Sequence, residues 1–484
     1  MSIKQKAIKG VFWSVVQNWG SQFGSLIVFL VLARLLTPEA FGLVALANVF
    51  LTFMQIFLEQ GFTQALVQRQ ELEPEHLDTA FWTNVISGVI LAGLSFLGAG
   101  LIANFFGQPK LTPILQCFSF LFIVNSFGQV HRAILSRELA FKVMAIRSVV
   151  GILIGGCVGV GMAVAGFGVW SLVSQQFVFE TVVVIVMWQA VKWRPRFVFS
   201  PTHFHHLFAF GINVVGFKFL KFFNKRSDNL LIGYFLGEVA LGYYAIAYRV
   251  LQVMTQLLIG TTNQLALPTL SKLQDQPEKF RQVFYRATQF TSLVAFPTFA
   301  GMAALTPELV ITLFGEQWQP SIPIMRVLAF AGILHTLSFF NASVLMAMGK
   351  PNWRFWISCL EAVVSFAACL LVIKWGIVAV AAAYVVSLYL TFPVGQKFVN
   401  QLIGVSPLVY CQQFITPIVS SLIMVAGILA FKFFLQDVIG GRVLLVTGTA
   451  LGMLIYGLAI WILNPNLFGH LLNTVKLARS KESV

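Results

Sequence analysis

Lys218, Lys221, Lys225 and Arg226 stand in the middle of an apolar run, residues 207–236 (LFAFGINVVGFKFLKFFNKRSDNLLIGYFL), with a single acid, Asp228, beside them. The run is long enough to cross a bilayer, for which about 20 residues suffice. At about 100° per residue on a helix, Lys218, Lys221, Lys225, Asp228 and Asn229 share an arc of about 100°, with Arg226 at its edge. A rise of about 1.5 Å per residue puts Lys218 about 16 Å in from residue 207 and Asp228 about 31 Å in. Each cation at that depth costs about 2.5–3.5 kcal/mol against lipid. The stripe therefore faces protein or a water-filled cavity. An internal salt-bridge network, with Asp228 neutralising Lys225 one turn away, would leave most of the positive charge unmet. The residue types point instead to a site for a polyanionic ligand.

Other residues with chemistry are fewer. Arg249, about a dozen residues into the next apolar run, adds a further cation. Glu180 and Glu361 sit mid-run, and Glu59 lies toward the end of the second run. With Asp228, Glu180 and Glu361 are candidates for ion coupling, against the alternative that they are hydrogen-bonded packing residues. His203, His205 and His206 read as an interfacial polar cap, with no carboxylate or cysteine ligand at metal-site spacing. The five cysteines, Cys117, Cys157, Cys359, Cys369 and Cys411, all fall in apolar runs without a CxxC pair, so neither a disulfide framework nor a zinc cluster is expected. No catalytic constellation and no metal site emerges, and the chain reads as a non-enzyme without a cofactor.

The elements that must hold the stripe follow from composition. The chain has 484 residues, 58% hydrophobic and 10% charged, with a mean hydropathy of +0.84. That is an all-α polytopic membrane protein with no room for a soluble domain. The net charge of +15 is dispersed rather than gathered on one face, which argues against nucleic acid. Fourteen membrane helices are expected, at 10–36, 41–67, 79–106, 111–136, 141–165, 169–191, 207–236, 239–268, 283–314, 322–348, 353–374, 377–403, 410–435 and 442–463. With the N-terminus inside, twenty connecting or flanking bases fall on the cytoplasmic side and only Arg34, Lys110, Lys374, Lys432 and Arg442 on the other. Both termini are then cytoplasmic.

Residues 200 apart repeat. Gly42, Ala45, Ala47, Leu51, Met54, Leu58 and Gln64 recur as Gly242, Ala245, Ala247, Leu251, Met254, Leu258 and Gln264. Six helices separate the copies, so the halves share an orientation and a binding site is expected between them. The expected domains are a first lobe at 1–200, a second at 201–404, and an extra helix pair with a tail at 405–484. The same spacing sets Lys218, Lys221 and Lys225 against Asn18, Ser21 and Ser25, a neutral polar stripe joined by Gln22. Gly151, Gly155 and Gly159 read as a close helix contact.

At LARLLTPEAFGLVALANVF and SDNLLIGYFLGEVALGYYAIAYRV, and in the connections ILSRELAFKVMAIRS and LMAMGKPNWRF, the chain resembles the polysaccharide-transport branch of the multidrug/oligosaccharidyl-lipid/polysaccharide exporter superfamily, most closely its colanic-acid and lipopolysaccharide type. The resemblance implies two six-helix lobes plus a helix pair, and flipping of undecaprenyl-diphosphate-linked oligosaccharide across the bacterial inner membrane. On that reading Lys218, Lys221, Lys225, Arg226 and Arg249 hold the diphosphate, and Asn18, Gln22 and Asn48 contact sugar. The partners are the lipid-linked oligosaccharide, membrane lipid and a polysaccharide polymerase or copolymerase, and a proton or sodium gradient is the expected drive. The alternatives are a peptidoglycan lipid-precursor flippase, a drug antiporter of the same superfamily, and a membrane glycosyltransferase or polymerase. A drug site would call for acids facing cations, and a transferase for chemistry on sizeable external loops.

Overall fold

The long apolar runs fold into helices that end at glycine, at proline or at a change to polar sequence. A computed structural model of the chain describes residues 3–59, 61–69, 71–435, 438–465 and 469, with the side chains of 3–18, 209–214, 217, 260–265 and 268 outside the description. In order, the helices are α1 (Ile3–Leu35), α2 (Pro38–Glu59), α3 (Phe62–Gln68), α4 (Pro74–Phe105), α5 (Leu111–Arg137), α6 (Phe141–Val164), α7 (Val169–Ala190), α8 (Pro201–Phe235), α9 (Gly237–Ser271), α10 (Pro277–Ala304), α11 (Thr306–Leu313), α12 (Ser321–Ala347), α13 (Pro351–Val372), α14 (Ile377–Ile403), α15 (Pro407–Leu435) and α16 (Gly441–Leu463). No strand occurs among the described residues.

By length and composition, ten of the described helices can cross a membrane, or eleven when α10 and α11, bent by 74° at Leu305, count as one span. The charged α8 is not among them. The protein is a multi-pass membrane protein. Two of the expected helices are broken. The run at 41–67 divides at Gly61, whose φ of 72° is left-handed and which separates α2 from α3. The run at 283–314 divides ahead of Pro307, which takes an early position in α11, where a missing N–H costs nothing.

The chain groups into two compact units, Met1–Ile246 with Ala362–Val380, and Ala247–Glu361 with Ala381–Val484. In the first, α4 packs on α5, α6 on both α1 and α7, and α8 on α2. Its apolar centre includes Phe62, Phe81, Val130 and Leu207, all buried. The glycine row of α6 lets α7 approach: a Cβ at Gly155 would lie 2.9 Å from the Gln175 carbonyl oxygen. In the second unit α10 packs on α12 and α15, and α15 on α16, around Leu305, Met424 and Ile428.

Candidate functional site

The charged helix of the sequence is α8. Ser200 caps its start, accepting the His203 N–H at 3.5 Å, and Pro201 occupies the first turn. Its rotation is fixed by Phe222, which is buried with Val49 and Ile56 of α2, its ring 5.4 Å from that of Phe53. With that face turned to α2, the cations lie along its flank. Lys218 forms an ion pair with Glu59 of α2, both partly buried. Lys221 and Lys225 are exposed and Arg226 half-buried. Among the described residues neither Lys221 nor Lys225 has a hydrogen-bond or ion-pair partner, and Lys225 lies within electrostatic reach of both Lys221 and Arg226. Like charges held together on one helix are unfavourable until an anion joins them.

Asp228 takes no part in neutralising Lys225. It is buried, accepting the Tyr244 hydroxyl at 2.6 Å and the Asn229 backbone N–H at 2.8 Å. The tight turn at Gly237, φ 83°, folds α9 back so that Tyr244 meets Asp228. The salt-bridge reading of the stripe thus gives way to a different arrangement. One lysine is paired by an acid from another helix, and the acid of the stripe is held by a tyrosine.

The remaining predicted residues are dispersed. The Asn18 side chain lies outside the described residues. Gln22 is half-buried and projects from α1 on the side opposite Gly20 and Gly24, which face Val149 and Ile152 of α6. Asn48 is half-buried on α2, its carbonyl accepting the Thr52 hydroxyl at 2.6 Å. Arg249, half-buried in the second unit, donates to Gln252 at 3.5 Å. Glu361 meets Arg354 at 3.4 Å. Glu180 is within electrostatic reach of Arg132 and Arg147. Arg147 is buried in α6 with a guanidinium nitrogen 2.8 Å from the Met187 sulfur.

Three partners were not foreseen. Glu59 stood in the sequence as an isolated acid, and only the packing of α8 on α2 gives it Lys218. Tyr244 is sixteen residues from Asp228, a separation that no helical period suggests. The polar cap at the start of α8 also has a carboxylate after all: Glu73, ahead of α4, lies 2.9 Å from His203 Nε2.

The repeat has a structural counterpart. A Cβ at Gly42 of α2 would overlap the carbonyl oxygen of Glu238, and a Cβ at Gly242 of α9 would overlap that of Pro38. Gly42 and Gly242 are 200 apart, and so are Pro38 and Glu238, so each copy uses equivalent positions for the same contact. The two acids beside this crossing are both engaged: Glu39 pairs with Lys110 at 2.6 Å, and Glu238 accepts a hydrogen bond from the Gln108 side chain.

The family described as polysaccharide biosynthesis protein matches residues 31–323, and the chain belongs to it, within the polysaccharide-transport branch of the multidrug/oligosaccharidyl-lipid/polysaccharide exporter superfamily. Among similar proteins, the succinoglycan biosynthesis transport protein ExoT of Rhizobium meliloti is 28% identical over 98% of this chain and 96% of its own. The teichuronic acid biosynthesis protein TuaB of Bacillus subtilis is 26% identical over 89% of each. The lipopolysaccharide biosynthesis protein WzxC of Escherichia coli is 26% identical over 73% of each. Among solved structures, a lipid II flippase MurJ in an inward closed conformation aligns with a TM-score of 0.77 over 94% of this chain and 99% of its own, at 14% identity. A multidrug resistance MATE transporter, inward-facing, aligns with a TM-score of 0.62 over 81% and 99%. These two likenesses establish the fold.

Proposed function

We propose that the protein is a flippase that carries a diphosphate-linked lipid oligosaccharide across the bacterial inner membrane, without chemical change to it, for surface-polysaccharide synthesis. The observation that carries this reading is the exposed pair Lys221 and Lys225, set among aromatic residues of α8 and lacking an acidic partner among the described residues. Cations so placed are too costly to face lipid and suit a ligand with two adjacent phosphates. The similar proteins named for succinoglycan, teichuronic acid and lipopolysaccharide synthesis support a glycan cargo. On this reading Lys221, Lys225 and Arg226 bind the diphosphate, and Lys218 joins them when it leaves Glu59. Gln22, Asn48 and Asn18 offer hydrogen bonds to sugar, while the isoprenoid stays in lipid.

Transport runs by alternating access, both termini are cytoplasmic, and a polymerase takes the product on the far side. A proton or sodium ion is the coupling ion, with Asp228, Glu180 and Glu361 as its candidate carriers. The test is complementation of a host lacking its own exporter. Lys221→Gln with Lys225→Gln is expected to abolish surface polymer and to leave lipid-linked repeat units accumulating on the inner leaflet, with the variant present in the membrane at normal abundance. Unchanged polymer would sink the assignment. A peptidoglycan-precursor flippase would instead rescue a strain depleted of that activity, and the wild-type chain is expected not to.

A further inference from the structure

The connection from α7 to α8 is sewn onto the start of α4. The Arg196 N–H donates to Asp78 Oδ1 at 3.0 Å, the Ser200 N–H to Thr79 Oγ1 at 3.1 Å, and the Trp82 indole N–H to the Arg196 carbonyl at 2.7 Å. Phe197 stacks on Trp82 with ring centroids 4.7 Å apart. This strap brings His203, in the first turn of α8, against Glu73 and His76 at the start of α4. The His203 Nε2 to Glu73 Oε2 distance is 2.9 Å, and the two imidazole rings meet edge to face with centroids 4.1 Å apart. One ligand atom from each of Glu73, His76 and His203 lies within 4.8 Å of the others.

His76 is 1% exposed. Its Nδ1 accepts the Glu73 backbone N–H at a long 3.3 Å, but its Nε2 is buried without a hydrogen-bond partner. A buried polar atom left unmatched is uncommon and destabilising. The Glu73–His203 pair alone leaves that nitrogen unexplained.

We propose that Glu73, His76 and His203 form a binding site for a divalent transition-metal ion of the zinc class, clamping the strap and the start of α8 to α4. Two imidazoles and a carboxylate suit such an ion, whereas calcium and magnesium take oxygen ligands. Tetrahedral zinc with bonds of about 2.0–2.1 Å sets its ligand atoms about 3.3 Å apart, so the trio closes on the ion by side-chain rotation of an ångström or so. Ser200 supports it: its Oγ lies 2.6 Å from His203 Nδ1, the place of the outer hydrogen bond that orients a metal-bound imidazole and leaves Nε2 free to ligate. The Glu73 side chain is 63% exposed, which leaves an entry path. Water fills the fourth position, or His206, one turn along α8 and within electrostatic reach of His76. Arg69 is within reach of both Glu73 and His76 and opposes a dication.

The site is independent of the α8 cations and of any cargo. The test uses the full chain in detergent, purified without a polyhistidine tag, stripped with chelator and then titrated with Zn²⁺ or Co²⁺. Wild type is expected to retain one ion per chain after desalting and to give the intense visible bands of tetrahedral Co²⁺. Glu73→Gln and His203→Gln are expected to lose the ion, while His205→Gln keeps it. Ser200→Ala is expected to weaken binding by about 10–100-fold, and Arg69→Gln to tighten it. His203→Cys keeps the ion and adds a sulfur-to-cobalt charge-transfer band, which separates loss of a ligand from loss of the fold. Wild type that holds no more metal than His203→Gln, or a Co²⁺ spectrum unmoved in His203→Cys, overturns the proposal.

Discussion

Lys218 and Glu59 form the one cross-helix ion pair of the α8 stripe among the described residues. Its value to stability is small, because both side chains keep some exposure and a partly exposed pair contributes about 1 kcal/mol at most. Its value to function is larger, since the pair ties a cation of the candidate site to α2. Glu59→Gln is therefore expected to leave thermal stability within about 1 kcal/mol of wild type while changing transport, and Lys218→Gln combined with Glu59→Gln to behave like Lys218→Gln alone. A double-mutant cycle in the polymer-export assay checks this, and additive effects would show that the two side chains act separately. The stripe was legible from sequence because a charge in an apolar run is conspicuous at a helical period. The partners of its members were not, because Glu59 and Tyr244 reach α8 through the packing of α2 and the return of α9, and neither carries a local signal.

At the scale of elements, helix positions followed from hydropathy, and the two breaks did not. Gly61 is one of 38 glycines, and nothing local distinguishes it from those that sit inside continuous helices such as α6. The repeat sharpens the point: α9 runs on through residue 271 where α2 stops at Glu59, although Leu58 and Gln64 on either side of the break have identical counterparts. The glycines that matter to assembly are Gly42 and Gly242, and the 200-residue spacing had already singled them out. Alanine in a helix ordinarily gains about 1 kcal/mol over glycine. Here its methyl group meets a backbone carbonyl that has no rotamer to yield, so Gly42→Ala and Gly242→Ala are each expected to destabilise by about 1–3 kcal/mol. Thermal unfolding in detergent reads this, with Gly98→Ala in α4, where nothing lies within 4 Å of the added carbon, as the control expected to be neutral or stabilising.

For the whole molecule, the class was plain from composition, and orientation rests on where the bases fall. Phosphatase fused after residue 465 is expected to be inactive and a fluorescent protein fused there to glow, as for a cytoplasmic C-terminus; active phosphatase would invert the topology and with it the direction of transport. The crossing at Gly42 and Gly242 adds something that topology does not. Each glycine seats the same carbonyl of the other copy, which is the pattern of an isologous contact in a two-fold dimer. In a true homodimer every substitution arrives twice, so a lysine gained on one subunit is mirrored on its neighbour. Joining both copies in one polypeptide lifts that constraint. The first copy keeps Asn18, Ser21 and Ser25 where the second carries Lys218, Lys221 and Lys225, and a pseudo-symmetric frame can thereby hold an asymmetric charge.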